Sequence, residues 1–444
     1  MYSDALVKEF DRKGIKAGDS VRVSSGPDTF EGVLMPRPEI GNRDIIVIKQ
    51  KDGYNVGLLF DREVKIEKLD SSRQKFEFPK VSVRRNPSLP KIALLYTGGT
   101  IGSKVDYTTG GVYILTKPEE LLYEVPELSD IANIELQNLM GIMSEDMTAE
   151  EWRRIATGVL KAFEDGARGV VITMGTDTMH YTAAALSFML GNLKGPVVIT
   201  GAQRSSDRGS SDAFVNLVCA ANVAAKSDVA EVCICMHSHS SDEGCMLIRG
   251  TKARKMHTSR RDAFRPINNM QIADVGTDGE IRYRSAYRKA GTHARKMDSA
   301  TGFEEKVALV KAYPNSDPGI IDYYLSKGYR GIIIEGTGLG HVPSSPAKKE
   351  GSWLGSIERA CDKGMIIGMT SQCLYGRVNP RVYANLRLAA AAGAIYCEDM
   401  LPETAYVKLG WLLGNHSEKE AREMLAKDIA GEITERLEYD YFLR

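Results

Sequence analysis

Two short stretches carry hydroxyl groups where a chain can present them to a small ligand. The segment KIALLYTGGTIG (91–102) is an apolar, β-favouring run that ends at two glycines and is followed by Thr100. In GVVITMGTDTMH (169–180) a similar run ends at a glycine followed by Thr176 and Asp177, and an apolar helical pattern begins there. Open α/β sheets bind ligands at the carboxyl ends of their strands, and glycine allows the backbone to come close. Both stretches therefore predict a ligand site at strand ends.

The chemistry that these side chains suggest is nucleophilic attack by a hydroxyl group. A threonine hydroxyl is a weak nucleophile, so it needs a nearby base and a partner that orients it. Asp177 and a lysine further along the chain can supply these functions. The order of the residues thus favours an enzyme that forms a covalent intermediate on threonine.

The two motifs resemble the signatures of the type I/II L-asparaginases, TGGTI and GTDT, and the resemblance runs from about residue 90 to about residue 415. It implies an α/β fold with two domains and mainly parallel sheets. It also implies that Thr100 and Thr176 are catalytic and that Asp177 pairs with the ammonium group of the substrate. Sequence does not decide which threonine attacks. Thr100 is the preferred nucleophile, with Thr176, Asp177 and Lys255 as the proton-relay set.

The resemblance places the catalytic lysine in RGTKARKMHTSRRDAF (249–264). Lys255 is the preferred residue, Lys252 is its competitor, and Arg254 is less favoured. A lysine acts as a base only after it has lost its proton, which burial or a neighbouring cation promotes.

Substrate-binding residues also follow from the resemblance. In the MSEDM segment, Ser144 matches a serine that holds the α-groups of the amino acid, and Glu145 stands where the bacterial enzymes commonly have glutamine. In DYTTGG, Tyr107 is the candidate for the tyrosine of a mobile lid. Main-chain N–H groups at the glycine turns, near Gly99 and Gly175, are expected to stabilise the developing oxyanion.

Two other patterns imitate cofactor sites. EGTGLGHVP (335–343) has the glycine spacing of a dinucleotide fingerprint, but prolines interrupt the helix that should follow it. His237, His239, Asp242 and Cys245 are spaced like metal ligands, and a hydrogen-bonded loop is the preferred interpretation. We therefore expect no metal and no cofactor in this chain.

Composition limits the remaining possibilities. Lys and Arg number 58, as do Asp and Glu, so no overall basic field indicates a nucleic-acid-binding protein. The seven cysteines are scattered without CxxC pairs, which favours free thiols in a reducing compartment. The charged N-terminus has no apolar signal core, and no apolar run has the length of a membrane span. We expect a soluble, cytoplasmic protein.

The chain order predicts several units. A short amphipathic helix and five turn-separated strands indicate a small SH3-like β-barrel, a proline-rich linker follows, and alternating strands and helices then form two α/β units. A capping box at Ser417 predicts a charged helix over 417–437. The expected units are 1–77 for the barrel, 78–90 for the linker, 91–285 for the first α/β domain, 286–305 for a second linker, 306–416 for the second α/β domain and 417–444 for a helical C-terminal extension.

Features outside the two motifs narrow the resemblance. The N-terminal barrel, QCLYGRVNPRVY (372–383), EDMLPETAYVKLGWLLGNH (398–416) and the extended tail resemble the glutaminase subunits of archaeal tRNA-dependent amidotransferases. This implies hydrolysis of glutamine and passage of ammonia through a channel to a partner subunit. That partner would use ATP and Mg²⁺ to convert Glu-tRNA(Gln) to Gln-tRNA(Gln) and would make most tRNA contacts. A homodimer within a heterotetramer is expected.

Two alternatives remain open. One is a stand-alone L-asparaginase with an accessory N-terminal domain, which would turn over without a partner. The other is a ligand-sensing or scaffolding protein built on an inactive asparaginase fold. The intact set of Thr100, Thr176, Asp177 and Lys255 disfavours the second alternative.

Overall fold

The structure is a computed structural model that describes residues 2–35, 42–50, 54–61, 63–69, 86–99, 101, 103–105, 112–114, 125–205, 210–291, 297–345 and 349–442, with only the backbone at 103–105, 112–114 and 298. Two residues assigned from the sequence, Thr100 and Tyr107, lie outside the described residues.

The N-terminal unit is a helix packed on an antiparallel sheet. Helix α1 (Asp4–Lys13) is capped by Ser3 and ends at Gly14, whose φ of 62° suits glycine. Leu6 and Phe10 of α1 pack into the same apolar cluster as the inward side chains of the sheet. The strands are β1 (Ser20–Ser25), β2 (Asp28–Leu34), β3 (Ile45–Lys49), β4 (Asn55–Leu59) and β5 (Lys65–Lys68).

The strand order in this unit is β4-β3-β2-β1-β5, with every neighbouring pair antiparallel. The five strands agree with the prediction. Within the described residues, β4 and β5 are the two edges and do not pair, so the expected barrel is open between them.

A large mixed sheet forms the centre of the first α/β unit. Its strands and the short pairs beside it are β6 (Lys91–Gly98), β7 (Ser103–Val105), β8 (Val112–Ile114), β9 (Asn133–Ile142), β10 (Gly169–Thr173), β11 (Leu190–Gly191), β12 (Val197–Thr200), β13 (Val232–His237), β14 (Gly244–Arg249), β15 (Ala253–Lys255), β16 (Phe264–Pro266), β17 (Ala273–Gly276), β18 (Ile281–Tyr283) and β19 (Asp298–Ser299). The sheet order is β18-β17-β14-β13-β12-β10-β6-β9. The pairs from β13 to β9 are parallel, as predicted, whereas β14, β17 and β18 extend the sheet antiparallel.

Helices cover both faces of this sheet. They are α2 (Leu128–Ile131), α3 (Ala149–Glu164), α4 (Met179–Met189) and α5 (Ala213–Lys226). The predicted capping box of Thr148 and Glu151 begins α3. Strand residues alternate between the faces: Leu95 packs with α3 and α4, while Leu94 packs with α5. Because both faces are covered, the strands carry continuous apolar runs.

The second α/β unit has a parallel sheet of four strands in the order β20-β21-β22-β23. Its elements are β20 (Val307–Lys311), α6 (Gly319–Ser326), β21 (Gly331–Gly336), α7 (Leu354–Asp362), β22 (Ile366–Ser371), α8 (Ala384–Ala391), β23 (Ile395–Tyr396), α9 (Pro402–Asn415) and α10 (Glu418–Met424). Helix α9 packs against α4, so one apolar cluster joins the two units. No helix begins within residues 337–345 after β21, in agreement with the expectation that prolines interrupt a helix there.

The C-terminal tail differs from its prediction. The expected helix over 417–437 is wrong in extent, since α10 ends at Met424. The capping box of Ser417 and Glu420 starts the helix as predicted. Beyond it, Glu432 accepts main-chain N–H groups and pairs with Lys408 at 2.6 Å, and both side chains are fully buried. A buried charge requires a partner, and the Lys408–Glu432 ion pair holds the tail against α9. The tail is therefore packed against the molecule and does not continue as a solvated helix.

None of the helices in the described ranges has the length and apolar character needed to cross a membrane.

Candidate active site

The end of β6 is a close backbone contact. Gly98 and Gly99 have φ values of 105° and 80°, in the region that glycine enters without strain. A Cβ atom on Gly99 would collide with the backbone nitrogen of Gly175. These glycines therefore bring the ends of β6 and β10 together, with Thr100 as the next residue in the chain.

The end of β10 leads directly into α4. Thr176 is buried with 6% exposure, whereas the Asp177 side chain is 68% exposed. The hydroxyl group of Thr178 donates to the main-chain oxygen of Ser144 at 2.6 Å. A Cβ atom on Gly175 would lie 2.8 Å from the hydroxyl oxygen of Ser144. The two predicted motifs and the MSEDM segment thus meet at one place.

Lys255 completes this cluster. Its Nζ lies 2.8 Å from Oγ1 of Thr176 and 2.6 Å from Oδ1 of Asp177. The lysine side chain is only 10% exposed. It extends from β15, which pairs antiparallel with β16. The arrangement places an amine, a hydroxyl and a carboxylate within proton-transfer distance of one another.

The competing cations lie elsewhere. Nζ of Lys252 donates to Oδ2 of Asp399 at 2.7 Å, with both side chains at 1% exposure or less. Burial lowers the pKa of Lys252, and Asp399 opposes that shift. Arg254 forms an ion pair with Glu403, at the start of α9. Of these three cations, Lys255 alone contacts Thr176.

His180 adds an uncharged group to this region. It lies in the first turn of α4 and is 8% exposed. Among the described residues its Nδ1 has no hydrogen-bond partner. Burial, helped by the charges of Arg254 and Lys255, lowers the pKa of His180 to about 3. The ring is therefore neutral near pH 7, even with the carboxylate of Asp177 nearby.

Of the remaining predicted substrate-binding residues, Ser144 and Glu145 lie within the described residues and Tyr107 does not. Ser144 is buried with 3% exposure, and Glu145 follows it in the same short 3₁₀ turn as an exposed residue. The backbone pairs of β7 and β8 flank the predicted lid, and Tyr107 itself lies outside the described residues.

The metal-like cluster is a hydrogen-bonded loop. Nδ1 of His237 lies 2.5 Å from Oδ1 of Asn216, and its Nε2 lies 3.4 Å from Asp242. Cys245 donates to the same Asn216 oxygen at 3.3 Å. Within the part of the chain that the structure describes, no three His, Cys, Asp or Glu side chains are arranged to hold a metal ion.

Sequence reasoning missed three residues close to the segment from Lys252 to Lys255. Asp399 and Glu403 are 147 and 149 residues away from their cationic partners, and no local pattern links them. His180 could have been found, because it lies three residues after Asp177 on a predicted helix and so points to the same side. Strand β9, which pairs with β6 and leads to Ser144, was also not predicted.

Three family models match this chain. "Asparaginase, N-terminal" matches residues 91–288, and "Glutaminase/Asparaginase C-terminal domain" matches residues 306–425. "GatD N-terminal domain" matches residues 15–69. The fold and the matched models define the class as a two-domain protein of the asparaginase/glutaminase type with an additional N-terminal unit.

Relatives that match the full chain specify the family further. The D subunit of the glutamyl-tRNA(Gln) amidotransferase of Thermococcus kodakarensis is 51% identical over 99% of both chains. The D subunit of the same enzyme from Methanothermobacter thermautotrophicus is 46% identical, again over 99% of both chains. The chain belongs to the family of glutamyl-tRNA(Gln) amidotransferase D subunits, which confirms the narrower resemblance seen in the sequence.

Solved structures show the asparaginase part of the fold. A thermostable L-asparaginase from Thermococcus kodakarensis aligns with a TM-score of 0.69 at 30% identity. It covers 78% of this chain, and all of that asparaginase is covered. L-asparaginase I from Vibrio cholerae gives a TM-score of 0.68 with the same coverage. The asparaginases therefore account for only part of this chain, whereas the D subunits account for nearly all of it, which favours the amidotransferase interpretation over a stand-alone asparaginase.

Proposed function

We propose that this chain hydrolyses the side-chain amide of glutamine and supplies the ammonia to the E subunit of a tRNA-dependent amidotransferase. The observation that carries the proposal is the contact of Lys255 with both Thr176 and Asp177. This cluster supplies the base and the proton relay that the proposed nucleophile, Thr100, requires. The full-length similarity to D subunits supports the same function.

In the proposed reaction, the Thr100 hydroxyl attacks the amide carbon of glutamine. Lys255 takes the proton through Thr176. Main-chain N–H groups at Gly99 and Gly175 stabilise the tetrahedral oxyanion. The proton then passes to the leaving nitrogen, ammonia departs, and an acyl-threonine ester remains. Water attacks this ester and releases glutamate, which restores the hydroxyl group.

We assign substrate recognition to Asp177, Ser144, Glu145 and Tyr107. Asp177 is exposed enough to receive the α-ammonium group of the amino acid, which would compete with its present contact to Lys255. Ser144 and Glu145 are proposed to hold the remaining α-groups, and Tyr107 to cover the bound substrate. An ammonium–carboxylate pair strengthens when water is excluded from the site.

The wider assembly is part of the proposal. The E subunit would bind ATP, Mg²⁺ and most of the tRNA(Gln), and this chain would need no cofactor of its own. We propose a homodimer that binds two E subunits in the cytoplasm. We also propose that the unit boundaries predicted from the sequence are the domain boundaries of this chain. Light scattering should give the mass of a dimer, and a stable monomer would contradict this part.

The first test is ammonia release from glutamine and from asparagine. The purified chain is assayed alone and then with the E subunit, ATP and glutamylated tRNA(Gln). Low basal turnover of glutamine that rises when all are present supports the proposal. Strong asparagine hydrolysis by the chain alone, unchanged by the additions, identifies an asparaginase instead.

A second test addresses the site. Thr100→Ala and Thr176→Ala should each abolish ammonia release. Thr157→Ala is the matched control, since that hydroxyl lies on the exposed side of α3 and bonds only its own helix. Normal turnover in either of the first two variants would overturn the assignment of these threonines.

A further inference from the structure

The short strand β15 separates its cations between two sides. Side chains alternate along a strand, so Lys255 and Arg254 point in opposite directions. Lys255 reaches Thr176 and Asp177 of the first α/β unit. Arg254 reaches Glu403 in the first turn of α9, which belongs to the second unit. The strand that carries the proposed base is thus held between the two units.

The hairpin of β15 and β16 has little support of its own. It consists of three residues on each side and forms a separate two-stranded sheet. An isolated two-stranded hairpin is marginally stable in water. The position of Lys255 therefore depends on the contacts that the hairpin makes with the rest of the molecule.

The first unit packs against the hairpin through α4 and β14, and the second unit supplies ion pairs and hydrogen bonds. Lys252, immediately before β15, pairs with Asp399 in the segment that leads into α9. Asn268, just after β16, donates to the main-chain oxygens of Gly376 and Asp399 at 3.0 and 3.1 Å. These contacts anchor the two ends of the hairpin. The Arg254–Glu403 pair is the anchor nearest to Lys255.

We propose that Glu403, acting through Arg254, is a positioning residue for Lys255. This proposal rests on the proposed function. The pair fixes the course of β15, and so it fixes the 2.8 Å contact between the lysine amine and the hydroxyl of Thr176. Among the described residues, neither Arg254 nor Glu403 forms a hydrogen bond or ion pair with Lys255, Thr176 or Asp177. Their effect passes through the backbone of the strand.

The expected kinetic signature is a loss of kcat with little change in KM. Proton transfer needs the base within hydrogen-bond reach, and a misplacement of about 1 Å can reduce turnover by about 100-fold. Substrate affinity, in contrast, is assigned to Ser144, Glu145 and Asp177, which lie outside the hairpin. A general loss of folded protein would instead lower the active fraction without changing the pH dependence of kcat.

The experiment measures glutamine turnover by the full chain with the E subunit and glutamylated tRNA(Gln). Arg254→Met should lower kcat at least tenfold with KM within threefold, whereas Arg254→Lys, which keeps the charge, should stay within threefold of the natural enzyme. The matched control is Glu231→Gln. The Arg249–Glu231 pair has similar exposure, 16% and 6% against 27% and 8%, and lies outside the hairpin. The Glu231→Gln variant should leave kcat unchanged.

Three results would overturn the positioning role: an unchanged kcat in Arg254→Met, failure of Arg254→Lys to preserve activity, or an equal loss in Glu231→Gln. If Arg254→Met does not fold, Glu403→Gln decides, since it keeps the shape and removes the charge. A kcat at least threefold lower supports the role, and an unchanged kcat contradicts it. Lys255→Met distinguishes the two proposals. Activity in that variant defeats the proposed site, whereas an inactive Lys255→Met beside a fully active Arg254→Met defeats only the positioning role.

Discussion

Lys252 and Lys255 are three residues apart, yet their surroundings are opposite. Lys252 is almost fully buried against Asp399, which is buried as well. Lys255 reaches a buried hydroxyl and a carboxylate that is 68% exposed. The first lysine, Lys252, has a buried carboxylate as its partner, and removal of the lysine leaves that carboxylate buried without its nearest cation. The second has a partner that can turn to another cation. The buried Lys252–Asp399 pair suits a role in stability, and the Lys255 contacts suit a role in catalysis.

The same contrast separates Lys252 from His180. Both side chains are buried close to the hairpin. Lys252 has a carboxylate partner, whereas Nδ1 of His180 has no hydrogen-bond partner among the described residues. Burial with a partner allows a charge to persist, and burial without one favours the neutral form. Substitutions at Lys252, Lys255 and His180 test these differences.

The largest expected effect is the loss of catalysis in Lys255→Met. Removing a positioned base should lower kcat/KM by about 10³-fold or more, which corresponds to roughly 4 kcal/mol of transition-state stabilisation. The melting temperature should change little, because Asp177, the charged partner of Lys255, remains solvated. Glutamine turnover and thermal unfolding are measured side by side. A variant that unfolds early but keeps its specific activity would reverse the roles of the two lysines.

The next effect is the destabilisation in Lys252→Met. This change leaves the buried carboxylate of Asp399 without its nearest cation, and Arg377 at 3.9 Å is a weaker partner. The free energy of unfolding should fall by about 3 kcal/mol. Chemical denaturation measures the change. The double variant Lys252→Met/Asp399→Asn should recover much of the loss, because no unpaired charge remains. If the double variant is no more stable than the single one, the loss of the Lys252 partner of the Asp399 carboxylate is not the cause.

A smaller effect is expected in the pH dependence of stability. The folded-state pKa of His180 is about 3, below its unfolded value near 6.5. Between these values the unfolded chain binds one more proton, so this group lowers stability as pH falls through that window. From pH 6.5 to 5 the loss is about 2 kcal/mol, and His180→Gln should remove it. Unfolding curves at both pH values give the comparison, and equal pH dependence in the two proteins would contradict a neutral His180.

The smallest effect belongs to an exposed pair. Arg282 and Glu280 lie 2.6 Å apart with side chains 64% and 52% exposed. Water and salt screen such pairs, so Glu280→Gln should leave the melting temperature unchanged within error. A clear loss of stability would show that burial does not explain the behaviour of Lys252.

Local patterns predicted much of the fold and of the candidate site. The position of Thr176 and Asp177 after a buried strand and the capping boxes at Thr148 and Ser417 agree with the structure. Lys255 is the lysine that contacts Thr176. The catalytic and binding roles of Thr100, Thr176, Asp177 and Lys255 stay predictions. Strand β9, the antiparallel extension of the large sheet and the course of the tail were missed or wrong. Each of these depends on pairing with distant segments, which the local alternation of residues does not encode.

The sequence by itself determined which residue types stand at strand ends, where several helices begin, and which set of hydroxyl, carboxylate and amine groups is available. Glycine freedom, capping and hydrophobic periodicity act over a few residues, so they can be read directly. Only the tertiary structure decided that Lys252 and Lys255 have different partners, that Glu403 lies behind Arg254, and that Glu432 is buried against Lys408. Ion pairs and burial depend on which distant segments come together, and that outcome arises from the packing of the whole chain.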